Sequence, residues 1–502
     1  MLTPGASAAD VAGGEDLDSL AAQVREEVES GRGMAVGQDL TVESMTIPEF
    51  AYMRYLEDRE GRDEDFDNAL RLFLFGWGAD ERNWTDPDVA TIASARHVLG
   101  QYKPHESHII ITRNPSSLLS FVSDTLQVIL ANGNDLLKAY NFMEELLANE
   151  DRSRALATHH TLYHEMIHAA QDWNYGLAQW LDYFDAHNEI DLQLAVMALI
   201  EGDAEYSSAA QLCETMGLRD VLDKSLLEKS LKPEDRKTMS KTLLPPARNA
   251  KDPLGVFFSD FGSFPYAFGF IFTGFLHNSP DHDIDNAYRN IPVTTRQILH
   301  PDRDADGDFT LHVIDFGDIV NDYETYTLHA LFEQGEIVVD TTLGEFGINS
   351  LLRAHGLFPM EEDAAEGWAG DRLRIYMNDD EIGVFFYTVW ESRESAERFF
   401  SGYLRLLEQK CGFSTGRHLP EYAPYTDQDI CGTQWLDIKD NHVMLFEIPA
   451  RPEADEIQAL AGVLYNAEIH TMPAREYLDW IGFYDGADQN TEERDEGGEN
   501  VE

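Results

Sequence analysis

Residues 161–172 read TLYHEMIHAAQD and contain the pattern His-Glu-x-x-His at His164, Glu165 and His168. Helix-forming residues surround the pattern, and residues four apart on a helix share one face, so both imidazoles can approach the same ion. Neutral imidazole is a good zinc ligand, and the glutamate beside the first histidine is placed to act as a general base. We therefore predict a helix here, with zinc at His164 and His168 and with Glu165 as the proton acceptor.

A third metal ligand is predicted at Glu201, in the helix-forming sequence ALIEGDAEY of residues 198–206. A catalytic zinc needs three protein ligands and one open position for water, and Glu201 would complete a set of two histidines and one glutamate. Glu205, one turn later, and Asp172, four residues after His168, are placed to hydrogen-bond a ring nitrogen and fix its tautomer. The alternative is that both histidines are ordinary surface or core residues of an amphipathic helix.

Two further residues are candidates for acting on the reacting carbonyl. Tyr266, in the sequence FPYAFG, either donates its phenolic proton to an oxyanion or is a buried aromatic bonded to a backbone carbonyl. His300, before Pro301, either plays the same role or orients the substrate, although a single loop histidine is more often structural. His160 extends the face of His164, and we expect it beside the ligands or in solvent, because a fourth protein ligand would close the catalytic position.

The hydrophobic pattern around these motifs predicts an α+β fold that is mainly helical, with a small sheet. The run HIIIT at residues 108–112 is typical of a strand, and a long helical region follows it. We assign residues 41–365 to one domain, in which the polar, lysine-bearing residues 216–254 form an insertion or a lid of short helices. Residues 1–40 and the acidic residues 481–502 are predicted to be flexible ends.

A second domain of α+β type is predicted over residues 366–480, where the hydrophobic period changes to two. Residues 372–377 and 382–390 flank an Asn-Asp-Asp turn and predict a β-hairpin. A helix follows, and its apolar residues between 396 and 407 form one buried stripe. The remaining elements of this unit are a strand and a helix, predicted over residues 442–448 and 453–465.

The composition restricts the partners of the protein. Its 502 residues include 92 Asp and Glu but only 37 Lys and Arg, which gives a formal charge of −55. This charge argues against nucleic acid and anionic membranes as partners. Acidic residues run through every segment, which favours a halophile over an acidic mesophile, because molar salt shortens the Debye length to about 3 Å. No run of about eighteen apolar residues is present, so no integral membrane segment is predicted.

The chain contains three cysteines, Cys213, Cys411 and Cys431. They are too few for an all-cysteine zinc site or for a disulfide-rich scaffold. Cys411 and Cys431 could form one bridge if the chain is exported, whereas Cys213 lies in an apolar helical context and is predicted to be buried.

Five sequence blocks together carry a resemblance to a known family. They are HEMIHAAQD at 164–172, EGDA at 201–204, FPYAFG at 264–269, ILHP at 298–301 and GWAGD at 367–371. This set resembles a haloarchaeal family of secreted, gluzincin-like metalloproteases that are often described only as surface proteins. The resemblance implies a zincin-like fold for the first domain, a bound Zn²⁺ and an export signal.

The location that the resemblance implies is the cell surface or the extracellular space. The triplet Ala6-Ser7-Ala8 has the small-x-small form of a signal-peptidase site, so residues 1–40 would include the remnant of an export signal. The alternative is an alanine-rich N-terminus of a cytoplasmic protein.

The function expected from these observations is hydrolysis of a peptide or protein substrate by a zinc-dependent peptidase. The glutamate at position 165 favours an enzyme, because binding of zinc alone does not need it. The alternative from another class is a non-catalytic haloarchaeal surface or binding protein that retains a zincin fold. A metallohydrolase of a non-peptide amide is a further alternative.

Overall fold

The structure, a computed structural model, describes most of the chain and has the predicted α+β class. Long helices are combined with three separate sheets in the described part. The residues described are 14–61, 98–112, 150–230, 253–317, 336–357, 365–378, 381–411, 425–427, 432–449 and 451–483, with the single positions 65, 69 and 73.

The helices and strands are numbered separately along the chain. The helices are α1 (Gly14–Gly31), α2 (Ile47–Gly61), α3 (Glu150–Tyr175), α4 (Leu177–Ala186), α5 (Ile190–Met216), α6 (Arg219–Ser230), α7 (Pro253–Asn278), α8 (Ile284–Arg289), α9 (Thr295–Leu299), α10 (Pro301–Asp304), α11 (Gly344–Ala354), α12 (Arg393–Cys411), α13 (Ala454–Tyr465) and α14 (Tyr477–Ile481). The strands are β1 (Thr41–Met45), β2 (Gly100–Lys103), β3 (His108–Thr112), β4 (Thr310–Asp315), β5 (Glu336–Thr341), β6 (Trp368–Asn378), β7 (Glu381–Trp390), β8 (Tyr425–Asp427), β9 (Thr433–Lys439), β10 (His442–Ile448) and β11 (Glu468–Pro473). None of the helices that the structure describes is both long and apolar enough to span a membrane.

The crossing of α5 and α7 is unusually close because two glycines face each other there. A Cβ built on Gly202 would lie 2.2 Å from the carbonyl carbon of Gly269. A Cβ on Gly269 would lie 2.2 Å from the carbonyl oxygen of Ala198. Only glycine permits such contact, so the two glycines bring the part of α7 that carries Tyr266 against the part of α5 that carries Glu201.

The first sheet packs against α3 and has the strand order β1-β3-β2. Strand β1 runs parallel to β3, and β2 runs antiparallel to it with Gly100 opposite Ile111. The strand predicted at residues 108–112 is confirmed as β3, and its three isoleucines are buried. Strand β2 forms one edge of this sheet among the strands that the structure describes.

The second sheet has the strand order β5-β6-β7-β10-β9-β8, and every neighbouring pair is antiparallel. The predicted hairpin is confirmed as β6 and β7, which pair from Trp368 opposite Trp390 to Asn378 opposite Glu381. The predicted apolar stripe is confirmed in α12, where most of its residues are buried against the sheet. The predicted strand and helix that end the unit are confirmed as β10 and α13.

The domain boundary predicted between residues 365 and 366 does not separate two independently packed units. Strand β5, on the N-terminal side, pairs with β6, and β4 pairs with β11. Leu199 of α5 and Phe386 of β7 belong to the same buried cluster. The reason is that open strand edges are satisfied by pairing with strands distant in sequence, so the sheet joins both parts of the chain.

The prediction that residues 1–40 are flexible is wrong for residues 14–40. This stretch forms α1 and the segment that leads into β1. Val24 and Val28 of α1 are fully buried against Leu162 and Met166 of α3. An acidic amphipathic segment can bury its apolar face when a matching helix is present, and composition does not reveal that helix. Residues 1–13 lie outside the described part of the chain.

The predicted insertion and the predicted acidic tail are each described only in part. Residues 219–230 of the insertion form α6, in which Leu222 and Leu226 are fully buried beside Phe270 of α7. The first part of the insertion is therefore packed into the core, while residues 231–252 lie outside the described residues. At the C-terminus Phe483 is buried, and residues 484–502 are not among those described. Cys213 is buried as predicted, and Cys431 lies outside the described residues.

Candidate metal centre

Three potential ligand atoms meet where α3 faces α5. His164 Nε2 and His168 Nε2 are 3.1 Å apart, and Glu201 Oε2 is 3.3 Å from each of them. The four-residue spacing explains the first distance, because residues i and i+4 lie one above the other on a helix. His164, His168 and Glu201 are therefore a group that could hold a metal ion, as the sequence predicts.

The distances between these three atoms are close to those between ligands of a tetrahedrally coordinated metal ion. Ligands bonded at about 2.0–2.2 Å around a tetrahedral centre lie about 3.3–3.6 Å from one another, and the three edges of 3.1, 3.3 and 3.3 Å are close to this range. Glu201 Oε2 is buried and accepts no hydrogen bond of good geometry from the described residues, although both ring nitrogens are near. Buried carboxylate oxygens are normally hydrogen-bonded, so this arrangement fits a metal ligand better than an ordinary buried acid.

Glu165 lies beside the ligands, against the edge strand β2. Only 6 % of its surface is exposed, and it accepts a hydrogen bond from the backbone N–H of Tyr102. A Cβ built on Gly100 would lie 2.8 Å from Glu165 Cγ and Oε1 and from Thr161 Cγ2. A larger residue at position 100 would push Glu165 aside, so this glycine allows the strand to lie directly on the carboxylate.

The charges of the cluster favour a cation at its centre. Burial by itself lowers the pKa of His164, but the carboxylates of Glu201, Glu205 and Glu165 raise this pKa to about 9. Burial opposes the ionised form of Glu201, yet the two imidazoles hold the pKa of Glu201 below that of an ordinary carboxyl. A site that holds positive charge between imidazoles and carboxylates also attracts a metal cation.

Tyr266 lies on the accessible side of the cluster. The residue is 46 % exposed, and the charge of Glu201, followed by burial of the phenol, raises the pKa of Tyr266 well above its ordinary value. Its position three residues before Gly269 explains this proximity, because Gly269 packs directly on α5. The structure brings Tyr266 to the ligands, and the alternative of a fully buried aromatic residue is wrong.

The three residues predicted to surround the ligands are placed differently from one another. Glu205 Oε1 is 3.8 Å from His164 Nδ1, near enough for ion pairing but longer than a hydrogen bond. Asp172 does not bond to His168 as expected, because it accepts instead from the hydroxyl of Tyr102 at 2.9 Å and from the N–H of Ala178 at 3.0 Å. His160 is buried beside the cluster, and burial lowers its pKa well below the ordinary value.

His300 is not brought to the metal centre. Its Nε2 is 2.7 Å from Oε1 of the buried Glu345. This pair lies near the N-terminal end of α5. Asp191, in the first turn of that helix, bonds to Thr295 and contacts Gly344, which lie close in sequence to His300 and Glu345. Ten residues separate Asp191 from Glu201 on the helix, which is about 15 Å along its axis. The predicted role of His300 in catalysis is therefore corrected to a buried pair with Glu345.

Two contributions to the centre are missed by reading the sequence. Gln171 Oε1 is 2.9 Å from His168 Nδ1, so Gln171 takes the role that the sequence assigns to Asp172. Side chains three residues apart on a helix are neighbours, as are those four apart, so the spacing of His168 and Gln171 could have predicted this contact. The contact of β2 with Glu165 has no comparable signal, because four residues are too few to show a strand period.

Comparison with known proteins matches only the part of the chain that contains the second sheet. A family model described as a domain of unknown function (DUF8575) matches residues 332–458, which contain β5 to β10. None of the three candidate ligands lies in this range. No curated protein and no solved structure matches the chain. What the described residues define is an α+β protein with a candidate metal centre of two histidines and one glutamate.

Proposed function

We propose that this protein is a zinc-dependent peptidase with a zincin-like arrangement of its metal centre. The observation that carries the proposal is the triangle of His164 Nε2, His168 Nε2 and Glu201 Oε2, with edges of 3.1, 3.3 and 3.3 Å. Two imidazoles and one carboxylate form a ligand set typical of catalytic zinc, which leaves the fourth position open. Zinc bound there would polarise a carbonyl group and lower the pKa of water to about 7.

The protein groups around this triangle have complementary roles in the proposed reaction. The carboxylate of Glu165 would accept a proton from the attacking water and return it to the nitrogen of the leaving amine. Burial raises the pKa of Glu165, which makes its carboxylate a better proton acceptor than an exposed one. Tyr266 would donate a hydrogen bond to the carbonyl oxygen as negative charge develops on it.

The position of β2 favours a peptide over a small amide as the substrate. Among the strands that the structure describes, β2 is an edge of the first sheet, and its Gly100 lies on Glu165. Extended peptides bind to exposed strand edges through backbone hydrogen bonds. A peptide added to this edge would pass close to the carboxylate that accepts the proton. The net charge of −55 supports a working environment of high salt. From the resemblance of the sequence blocks, we propose that the enzyme acts at the cell surface or outside the cell.

The experiment that tests this function is a comparison of the unmodified chain with Glu165→Gln. Both proteins are purified in high salt and incubated with a mixed peptide library, and the new amino termini are counted by mass spectrometry. We expect Glu165→Gln to keep its zinc but to lose about 10²–10⁴ in rate, because only the proton acceptor is removed. The matched control Glu43→Gln, on β1 beside His108, should cleave like the parent.

Two results of this experiment would count against the proposal. Equal hydrolysis by the parent and by Glu165→Gln would show that Glu165 is not the general base. A parent that binds zinc but leaves the whole library intact would favour the non-catalytic surface or binding protein, which keeps the metal centre without its chemistry.

A further inference from the structure

Gln171 is fully buried on α3 and has all of its amide atoms in hydrogen bonds. Its Nε2 donates to the carbonyl oxygen of Ile200 at 3.0 Å and to the hydroxyl of Tyr288 at 2.7 Å. Its Oε1 is 2.9 Å from His168 Nδ1. An amide nitrogen can only donate, so these two acceptors fix which end of the amide faces the imidazole. His168 Nδ1 must therefore carry the proton, and the lone pair of His168 Nε2 is left for a metal.

The direction of the next hydrogen bond is also fixed. Tyr288, on α8, is buried, and its hydroxyl donates to Asp203 Oδ2 at 3.0 Å. Because that proton is used on Asp203, the Tyr288 oxygen is free to accept from Gln171 and cannot donate to it. The chain from Asp203 through Tyr288 and Gln171 to His168 therefore has one polarity along its whole length.

Asp203 is the charged end of this chain. It is fully buried on α5, two residues after Glu201, and accepts from Arg32 Nε at 3.2 Å and from His277 Nε2 at 2.9 Å. The guanidinium of Arg32 forms an ion pair with this carboxylate, so Asp203 accepts the hydrogen bonds at this end of the chain, and Arg32 connects it to the segment that follows α1.

We propose that Gln171 and Tyr288 are positioning residues of the metal centre, which hold His168 in the Nδ1–H tautomer through a chain that ends at Asp203 and Arg32. The inference rests on the metal centre of the proposed function but not on peptidase activity. A network that only stabilised the core would be indifferent to the tautomer of His168. Hydrogen bonds to the second nitrogen of a ligand histidine orient the ring and raise its affinity for metal, and their loss typically costs about 10–100-fold.

The test is the zinc affinity of Tyr288→Phe, measured on the full chain by competition with a chromophoric chelator. We expect the affinity to fall about 10–100-fold, because Gln171 loses the shorter of its two hydrogen bonds to acceptors and is held less firmly toward His168. The matched control is Tyr175→Phe. The ring of Tyr175 stacks on Tyr288 at 4.2 Å, but its hydroxyl bonds to Asp285, so this variant should bind zinc like the parent.

A second variant covers the case in which Tyr288→Phe does not fold. Gln171→Met has a similar volume and removes the acceptor of His168, while the bond from Tyr288 to Asp203 is kept. It should show the same loss of zinc affinity, and thermal melts of the metal-free proteins report any general loss of stability separately. A folded Tyr288→Phe or Gln171→Met with the affinity of the parent would overturn the inference. Failure of the parent to bind zinc would overturn the metal centre itself, so the two failures are distinguishable.

Discussion

The carboxylate of Glu201 lies close both to the two candidate histidine ligands and to the exposed phenol of Tyr266. Its Oε2 lies 3.3 Å from the Nε2 atoms of His164 and His168, and its charge is the main cause of the raised pKa of Tyr266. Under the proposed function, this phenol would donate a hydrogen bond to the oxygen of the reacting carbonyl. Removing the hydroxyl of Tyr266 should therefore lower the rate of substrate conversion without weakening substrate binding.

We expect Tyr266→Phe to lower kcat about a hundredfold to a thousandfold with little change in KM, because a donor used mainly in the transition state is lost. The measurement is steady-state kinetics on a peptide that the parent cleaves. Tyr175→Phe is the control, since the hydroxyl of Tyr175 bonds to Asp285 and not to the ligands. An unchanged kcat in a well-folded Tyr266→Phe would mean that no oxyanion contact comes from this residue.

Asp191 is a buried acid whose titration should be visible in the stability of the whole chain. It is 1 % exposed, and its Oδ1 accepts from the N–H and the hydroxyl of Thr295 at 2.9 and 2.5 Å. Burial, together with the charges of Asp371 and Glu345, raises the pKa of Asp191 to about 8, despite the two donors of Thr295. The folded protein therefore binds a proton here much more tightly than the unfolded chain does.

A raised pKa in the folded state stabilises the protein at low pH, and this stabilisation is lost as the pH rises through the folded value. We expect the free energy of unfolding of the parent to fall by about 2 kcal/mol more than that of Asp191→Asn between pH 6 and pH 9. Chemical denaturation at several pH values in constant high salt measures both curves. Parallel curves would show that Asp191 has an ordinary pKa in the folded protein.

At the scale of secondary-structure elements, the contact of Gly202 with Gly269 sets how closely α5 and α7 approach. A Cβ on Gly202 would lie 2.2 to 2.7 Å from backbone atoms of Gly269, which cannot rotate away as a side chain could. The two helices would have to separate, and Tyr266 would move away from Glu201 with them. This crossing therefore couples the stability of the helical core to the geometry of the candidate centre.

We predict that Gly202→Ala lowers the free energy of unfolding by about 1–3 kcal/mol, the usual cost of overpacking a core. Gly262→Ala is the matched control, because Gly262 lies on α7, the helix that α5 crosses, and a Cβ added there would meet no atom within 4 Å. The control should be neutral or more stable by about 0.5–1 kcal/mol, since alanine favours helix over glycine. Urea denaturation of both variants measures the difference, and equal stabilities would refute a tight crossing.

Prediction from sequence succeeded where local periodicity determines contacts. The spacing of His164 and His168 fixes their shared face, and alternation fixes the hairpin of β6 and β7. It failed where contacts join distant parts of the chain. The pair of Arg32 and Asp203 spans 171 positions, and β5 joins a sheet otherwise built from later residues. Such pairings depend on how the elements pack together, which no local pattern contains.

At the scale of the whole molecule, the excess of acidic over basic residues dominates. With 92 acidic and 37 basic residues, the carboxylates outnumber the Lys and Arg side chains by 92 − 37 = 55, so the chain carries a large excess of negative charge whatever the fold. Several of the basic residues are already buried in ion pairs, as Arg296 is with Asp304 and Lys410 is with Glu447. The remaining carboxylates repel one another, and dissolved salt is needed to screen this repulsion.

The melting temperature should rise steeply as salt increases from about 0.1 M to about 1 M, because the Debye length falls from about 10 Å to about 3 Å. Differential scanning fluorimetry in a potassium chloride series measures this dependence. A sucrose series is the control, since sucrose favours compact states without screening charge. A melting temperature that is flat in potassium chloride, or that rises equally in sucrose, would remove the argument for a halophilic protein.

The metal content of the purified protein shows whether His164, His168 and Glu201 hold zinc. The parent, His164→Ala, Glu201→Ala and the control His159→Ala are purified in high salt and analysed by inductively coupled plasma mass spectrometry. His159 lies on the same helix but bonds to Glu27, outside the cluster. We expect about one zinc ion per chain in the parent and in His159→Ala, and none in the two ligand variants. Zinc retained by both ligand variants, or absent from the parent, would contradict this expectation.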